Sequence, residues 1–221
     1  MRFFLLSISF LVLFSTIACT KKGNAIPAQK DANLISYVNP FIGTGGHGHT
    51  YPGATLPFGM MQLSPDTRLD GWDGCSGYHY SDSEIYGFSH THLSGTGVSD
   101  YGDILLMPTT EVIFNNGSDG NSGYRASFKH ENEIAEPGYY SVYLDSIGVD
   151  VELSVSKRSG IHRYKFSPTS NQIVILDFII INNSSFLGKN LGNGIGQNRI
   201  FVQNLMSFDN LNVGIFSNNA S

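Results

Sequence analysis

The sequence predicts an all-β fold, an antiparallel β-sandwich, on three observations. Apolar residues alternate with period two through most of the second half, short apolar runs are separated by glycine-rich connections, and no long helical period follows the N-terminal apolar segment. Many short strands joined this way suit two stacked sheets better than a doubly wound fold. No internal repeat is present.

Taken in order, the chain opens on Arg2, an apolar run from Phe3 to Ile17, and Ala18-Cys19. Residues 1–18 are read as a signal peptide, too short to span a bilayer as a helix. A small residue before Cys19 resembles a lipobox, although Thr16 stands where leucine is usual, so Cys19 is the expected lipidation site. Ordinary secretion with cleavage nearby is the alternative. Either way the protein is expected to be exported, to the periplasm or outer membrane, and lipidation at Cys19 would give it a membrane anchor. Residues 19–33 have few large apolar groups and are read as a tether.

The folded part is expected to begin near Leu34. Strands are predicted at Thr55 to Leu63 and Asp103 to Met107, with Pro57 and Pro108 marking an irregularity or an edge. Tyr140, Val142 and Leu144 would share one face of a strand; Val149, Val151, Leu153 and Val155 would do so on the next, against Asp150, Glu152, Ser154 and Ser156. Lys157 to Gly160 reads as a turn into a strand at Ile161 to Phe166, and Ile173 to Ile181 carries a further apolar run.

Acidic residues outnumber basic ones by 18 to 13, for a net charge of −5, which makes nucleic acid a poor partner and a neutral ligand a better one. Thirteen of the 25 glycines, five of the seven histidines and the only tryptophan fall between Gly43 and Gly102, so the ligand loops are sought there. Gly43-Thr44-Gly45-Gly46 lacks the lysine and following helix of a phosphate loop, and Ser94-Gly95-Thr96-Gly97 lacks nucleophile-elbow spacing. Asp100 and Asp103 are accounted for by a turn. Cys75 is expected to pack as a small apolar group, with no activating arrangement for a nucleophile. His90 and His92 would share one side of a strand and line a pocket with His79; zinc is a competing reading, but the sequence fixes no third ligand. His47-Gly48-His49 reads as a flexible loop or a further pair of the same kind.

The wording YVNPFIGTGGHGHTYPGATLPFGMMQLSPDTR, then GWDGCSGYHYSD, then GFSHTHLSGTGVSDYGDILLMP, closely resembles the N-terminal domain of glycoside hydrolase family 92, bacterial exo-acting α-mannosidases. The resemblance runs from about Tyr37 to Pro108, with the strands to Asp177 compatible. It implies a β-supersandwich of the galactose-mutarotase-like kind over residues 34–177, followed in the family by a helical domain that carries both catalytic carboxylates. It further implies calcium-assisted, inverting hydrolysis of terminal α-mannose on glycans. This chain is expected to stop before the helical domain, either missing or separately encoded, to lack catalytic residues, and to hold no metal or cofactor itself. Calcium is implied for the full-length family enzyme, although Asp66, Asp70, Asp73 and Asp82 offer oxygen donors. Residues 178–221 depart from the pattern, with ten asparagines and no glutamate in the last 40 residues, and are read as an aberrant or divergent segment.

A pyranose has apolar C–H faces and a rim of hydroxyls, so its site needs aromatic surface beside oriented polar groups. Trp72-Asp73 supplies both, and the expected substrate-binding set is Trp72, Asp73, Cys75, Tyr78, His79, His90 and His92. The competing reading of the pair makes Trp72 a core plug and Asp73 a turn cap. A stand-alone carbohydrate-binding lipoprotein is the alternative to half of a mannosidase, and a metal-dependent hydrolase the third class.

Overall fold

The computed structural model describes residues 33–95, 97–99 and 101–177, and the backbone of 199–203 and 211–216. The signal, Cys19, nearly all of the tether, Asp100 and most of the Asn-rich segment lie outside the described residues. The chain divides at Leu34 into two units, and the second, Ile35–Ser221, holds both sheets.

Twelve strands are described: β1 Ala54–Thr55, β2 Gln62–Asp66, β3 Glu84–Ile85, β4 Gly87–Ser89, β5 Leu105–Thr109, β6 Ala126–Glu136, β7 Tyr139–Leu144, β8 Val149–Val155, β9 Ser159–Phe166, β10 Ile173–Asp177, β11 Arg199–Gln203 and β12 Leu211–Phe216. They form two six-stranded antiparallel sheets, ordered β1-β2-β4-β5-β10-β11 and β12-β9-β8-β7-β6-β3. This is the predicted all-β sandwich.

The alternation in β7 and β8 falls as predicted. Tyr140, Val142 and Leu144, with Val149, Val151 and Leu153, are buried, while Asp150 on the opposite face is exposed. In β9 the inward set is Gly160, His162, Tyr164 and Phe166, so Ile161 faces outward. Across the sandwich Tyr164, Phe166 and the inward residues of β7 and β8 join Leu63, Phe88, Leu105 and Met107 of the first sheet in one apolar cluster. Burial of apolar area of this kind is the main force holding two sheets face to face.

The single strand expected at Thr55 to Leu63 is two. Pro57 cannot donate to a ladder, Phe58 turns the backbone to φ 59°, and the Gly59 amide closes a turn on the Leu56 carbonyl, so β1 folds back onto β2. Pro108 lies inside β5, where β10 pairs along the whole strand. On the other flank β4 pairs with it only at Phe88 to Leu106, and that ladder ends before the proline.

An irregularity in β6 matters for the interior. Phe128 pairs with Leu144 and Glu133 with Val142, so five steps on β6 oppose two on β7. The odd difference reverses which face each residue takes. Ala126 and Phe128 point inward before it, and Glu133 points inward after it. A glutamate thereby enters the sandwich, where it accepts hydrogen bonds from the Tyr140 hydroxyl (2.6 Å) and the Tyr78 hydroxyl (3.0 Å) and lies 2.5 Å from His130 Nδ1.

Candidate ligand site

Three loops converge beside the first sheet. The 43–50 loop is fixed to its neighbours by backbone bonds: the Tyr80 amide donates to the Thr44 carbonyl (2.8 Å) and the Gly95 amide to the His49 carbonyl (2.6 Å). The 67–83 loop leaves the end of β2 and is tied at its base by the Thr67 amide on the Gly77 carbonyl (2.7 Å). An ion pair between Arg68 and Asp82, with the Thr67 hydroxyl donating to the same carboxylate, closes it further.

Trp72 and Asp73 sit on a single 3-10 turn, Trp72–Gly74, in that second loop. Trp72 is 64% exposed, which excludes the core-plug reading. Its ring meets His49 edge-on at 5.0 Å, and a Cβ placed on Gly97 would come within 2.3 Å of the indole. The third loop therefore needs glycine there to seat the ring. Asp73 Oδ1 lies 2.9 Å from His47 Nδ1 and 4.0 Å from His49 Nε2. The hydrogen bond from His47 holds the Asp73 carboxyl below the usual carboxylate range, so it is an anion at neutral pH. The result is an exposed indole beside a carboxylate oriented by His47, materials suited to a neutral polyol.

The remaining predicted residues lie elsewhere in the network. Cys75 is buried, and burial pushes its thiol up, away from thiolate chemistry. Tyr78 is fully buried, with its hydroxyl on Glu133; burial raises its pKa. His79 bridges the Gly46 carbonyl (2.9 Å) and the Ser81 hydroxyl (2.8 Å), tying the first loop to the second. His90 and His92 follow β4 and point to different partners. His90 Nδ1 donates to the Ile104 carbonyl (2.5 Å), and its Nε2 faces His162 Nε2 at 3.0 Å. His92 places Nδ1 on the Gln62 carbonyl (2.8 Å) and Nε2 on Asp66 (2.9 Å) and Ser89 (3.1 Å). The pocket foreseen for His79, His90 and His92 is thus three separate braces, and both ring nitrogens of each are engaged.

The structure brings His47 and His49 to Asp73 instead. The sequence signal was the His-Gly-His spacing, but nothing local says which distant residue it meets. Glu133 and its bridging of Tyr78 to Tyr140 carried no sequence signal at all.

Calcium requires six to eight oxygen ligands, and the four aspartates considered for it do not converge. Asp66 bonds His92, Asp73 bonds His47, and Asp82 pairs with Arg68. Among the described residues no group of three or more histidine, cysteine or acidic side chains is arranged to hold a metal ion. The residues present do not fit the cation.

Comparison with known proteins is consistent in direction. The model of the glycosyl hydrolase family 92 N-terminal domain matches residues 37–205. A family GH92 α-mannosidase from Bacteroides thetaiotaomicron, solved with mannoimidazole, is 42% identical with a TM-score of 0.63, over 67% of this chain and 20% of that one. An inverting mannosidase of the same family from Bacteroides thetaiotaomicron VPI-5482 is 32% identical with a TM-score of 0.58, over 68% of this chain and 20% of that one. An uncharacterized secreted glycosidase of Arthroderma benhamiae is 29% identical over 144 residues, 64% of this chain and 18% of the relative. The chain thus spans about one fifth of the length of these relatives.

Proposed function

The chain belongs to glycosyl hydrolase family 92, whose N-terminal domain it carries, and from that premise we propose that it forms the carbohydrate-holding wall of an α-mannoside site. Trp72 stacks on a C–H face of a mannose residue, and the Asp73 carboxylate accepts hydrogen bonds from its hydroxyls. The carrying observation is the exposed Trp72 beside the oriented Asp73, at the meeting of three loops.

Inverting hydrolysis needs one carboxylic acid to protonate the leaving oxygen and one carboxylate to activate a water on the opposite face. Three acids of these loops already have side-chain partners, Asp66 on His92, Asp73 on His47 and Asp82 on Arg68, which suits holding and bracing more than proton transfer. In this reading both catalytic carboxylates, and any calcium, are supplied by other polypeptide, and the chain alone binds without hydrolysing. Export, with Cys19 as a lipid anchor, places it where glycans are met.

Trp72 is the only tryptophan, so its fluorescence reports on the site directly. Titrating the full chain with methyl α-mannoside should change that emission saturably, and Asp73→Ala should weaken the response about tenfold, the loss of one charge-assisted hydrogen bond. Unchanged emission at saturating sugar rejects the site. Turnover of an α-mannoside by the pure chain, abolished by a substitution within it, rejects the division of labour.

A further inference from the structure

His49 is a residue with unfinished chemistry. Its side chain is only 10% exposed, and Nε2 is buried with no hydrogen-bond partner among the described residues. An unsatisfied buried polar atom is costly and uncommon in a native interior. The cost is concentrated beside Trp72, whose ring packs edge-on against the same imidazole, and next to Asp73 Oδ1, 4.0 Å from Nε2. That distance is too long for a hydrogen bond, but an oxygen admitted by displacement of His47 could stand about 2.8 Å from both atoms and bridge them.

We propose that His49 is a specificity-determining residue of the sugar site: one ligand hydroxyl donates to Asp73 and accepts from His49 Nε2–H. The inference rests on the reading of Trp72 and Asp73 given above. A hydroxyl suits this gap because it both donates and accepts, whereas an ammonium can only donate and a carboxylate can only accept. His47 gives access. It is 88% exposed, bonds the same Asp73 oxygen, and stands in a loop whose Gly43 and Gly46 carry φ of 84° and 61°, so its ring can leave Asp73 without disturbing the buried His49. Water alone in the gap would satisfy His49 without selecting a ligand.

The test uses the full chain, methyl α-mannoside and two substitutions. His49→Phe keeps an aromatic edge against Trp72 and removes the donor; His49→Gln places an amide nitrogen near the position of Nε2. Binding is read by Trp72 emission and, independently, by sugar-proton saturation transfer. The expected result is about tenfold weaker binding for H49F and about threefold or less for H49Q, with no fall in melting temperature. Wild-type binding matched by H49F overturns the role of His49 alone. No binding by wild type in either readout overturns the sugar site and this role together. Stoichiometric zinc in the purified chain, lost in H49F, overturns it in favour of a metal.

Discussion

At the scale of single residues, two buried histidine clusters give different predictions. The Gln62 carbonyl can only accept, so His92 Nδ1 carries a hydrogen, and a proton must also lie between Nε2 and the Asp66 carboxyl group. Asp66→Ala removes the acceptor from a site with no water access and should cost about 3–5 kcal/mol in chemical denaturation, whereas Asp66→Asn, which can donate to a neutral ring, should cost clearly less. Equal costs for the two would show that shape, not the shared proton, holds the brace. His90 and His162 behave oppositely: His90 Nδ1 donates to Ile104, its Nε2 accepts from His162, and His162 Nδ1 accepts from the Tyr164 hydroxyl. A further proton would set two N–H groups against each other in a dry interior, and burial pushes His90 down to about 4 and His162 well below its ordinary value. Because the unfolded chain binds these protons more readily, the stability is fully present above about pH 6.5 and is lost as pH falls toward 4. His162→Phe should be less stable at pH 7.5 yet show a shallower fall in melting temperature between pH 6.5 and 4.5; a parallel fall would place the acid sensitivity elsewhere. None of these pairings was legible, because Asp66 with His92 and His90 with His162 are joined across 26 and 72 positions.

At the scale of elements, legibility followed regularity. Strands β7 and β8 announced themselves because every second residue is apolar and the ladder between them keeps one register from Tyr139 to Leu144. Strand β6 did not, although it is the longest described: its inward residues are even-numbered at Ala126 and Phe128 and odd-numbered from Glu133, so no single phase fits it. Short β3 and β4, two and three residues each, give too little sequence for any period. The irregularity that hid β6 also makes a testable claim. Glu133→Ala removes the carboxylate that this reversal turns into the core. The Tyr78 and Tyr140 hydroxyls would then lack their acceptor, at about 1–3 kcal/mol each, a loss visible in urea denaturation. Glu133→Gln, which keeps one acceptor oxygen in place, should lose far less. If Glu133→Ala is tolerated as well as Glu133→Gln, the buried carboxylate is not what holds the two hydroxyls.

At the scale of the whole chain, the face of the three loops and the rest of the surface carry large exposed apolar side chains. Phe58 is completely exposed on a left-handed turn, and Trp72, Val98 and Tyr101 also face solvent. A bulky residue held at positive φ and fully in water costs stability without gaining packing, so such a residue is expected to pack against another surface. The Gly43 to Gly102 concentration of glycine and aromatic residues marked these loops in the sequence, but not which rings would stay outside the core, since Tyr78 and Trp72 lie six residues apart with opposite fates. The relatives are about five times longer than the matched region, and polypeptide of that kind is the proposed cover. In its absence the purified chain should self-associate with concentration in sedimentation velocity, and Phe58→Ser should shift the distribution toward monomer while leaving the sugar response of Trp72 unchanged. Adding the remaining polypeptide of a family member in trans should compete with that self-association. A wild-type chain that stays monomeric across the concentration range, with no binding of an apolar dye, would show that these side chains are accommodated by the domain alone.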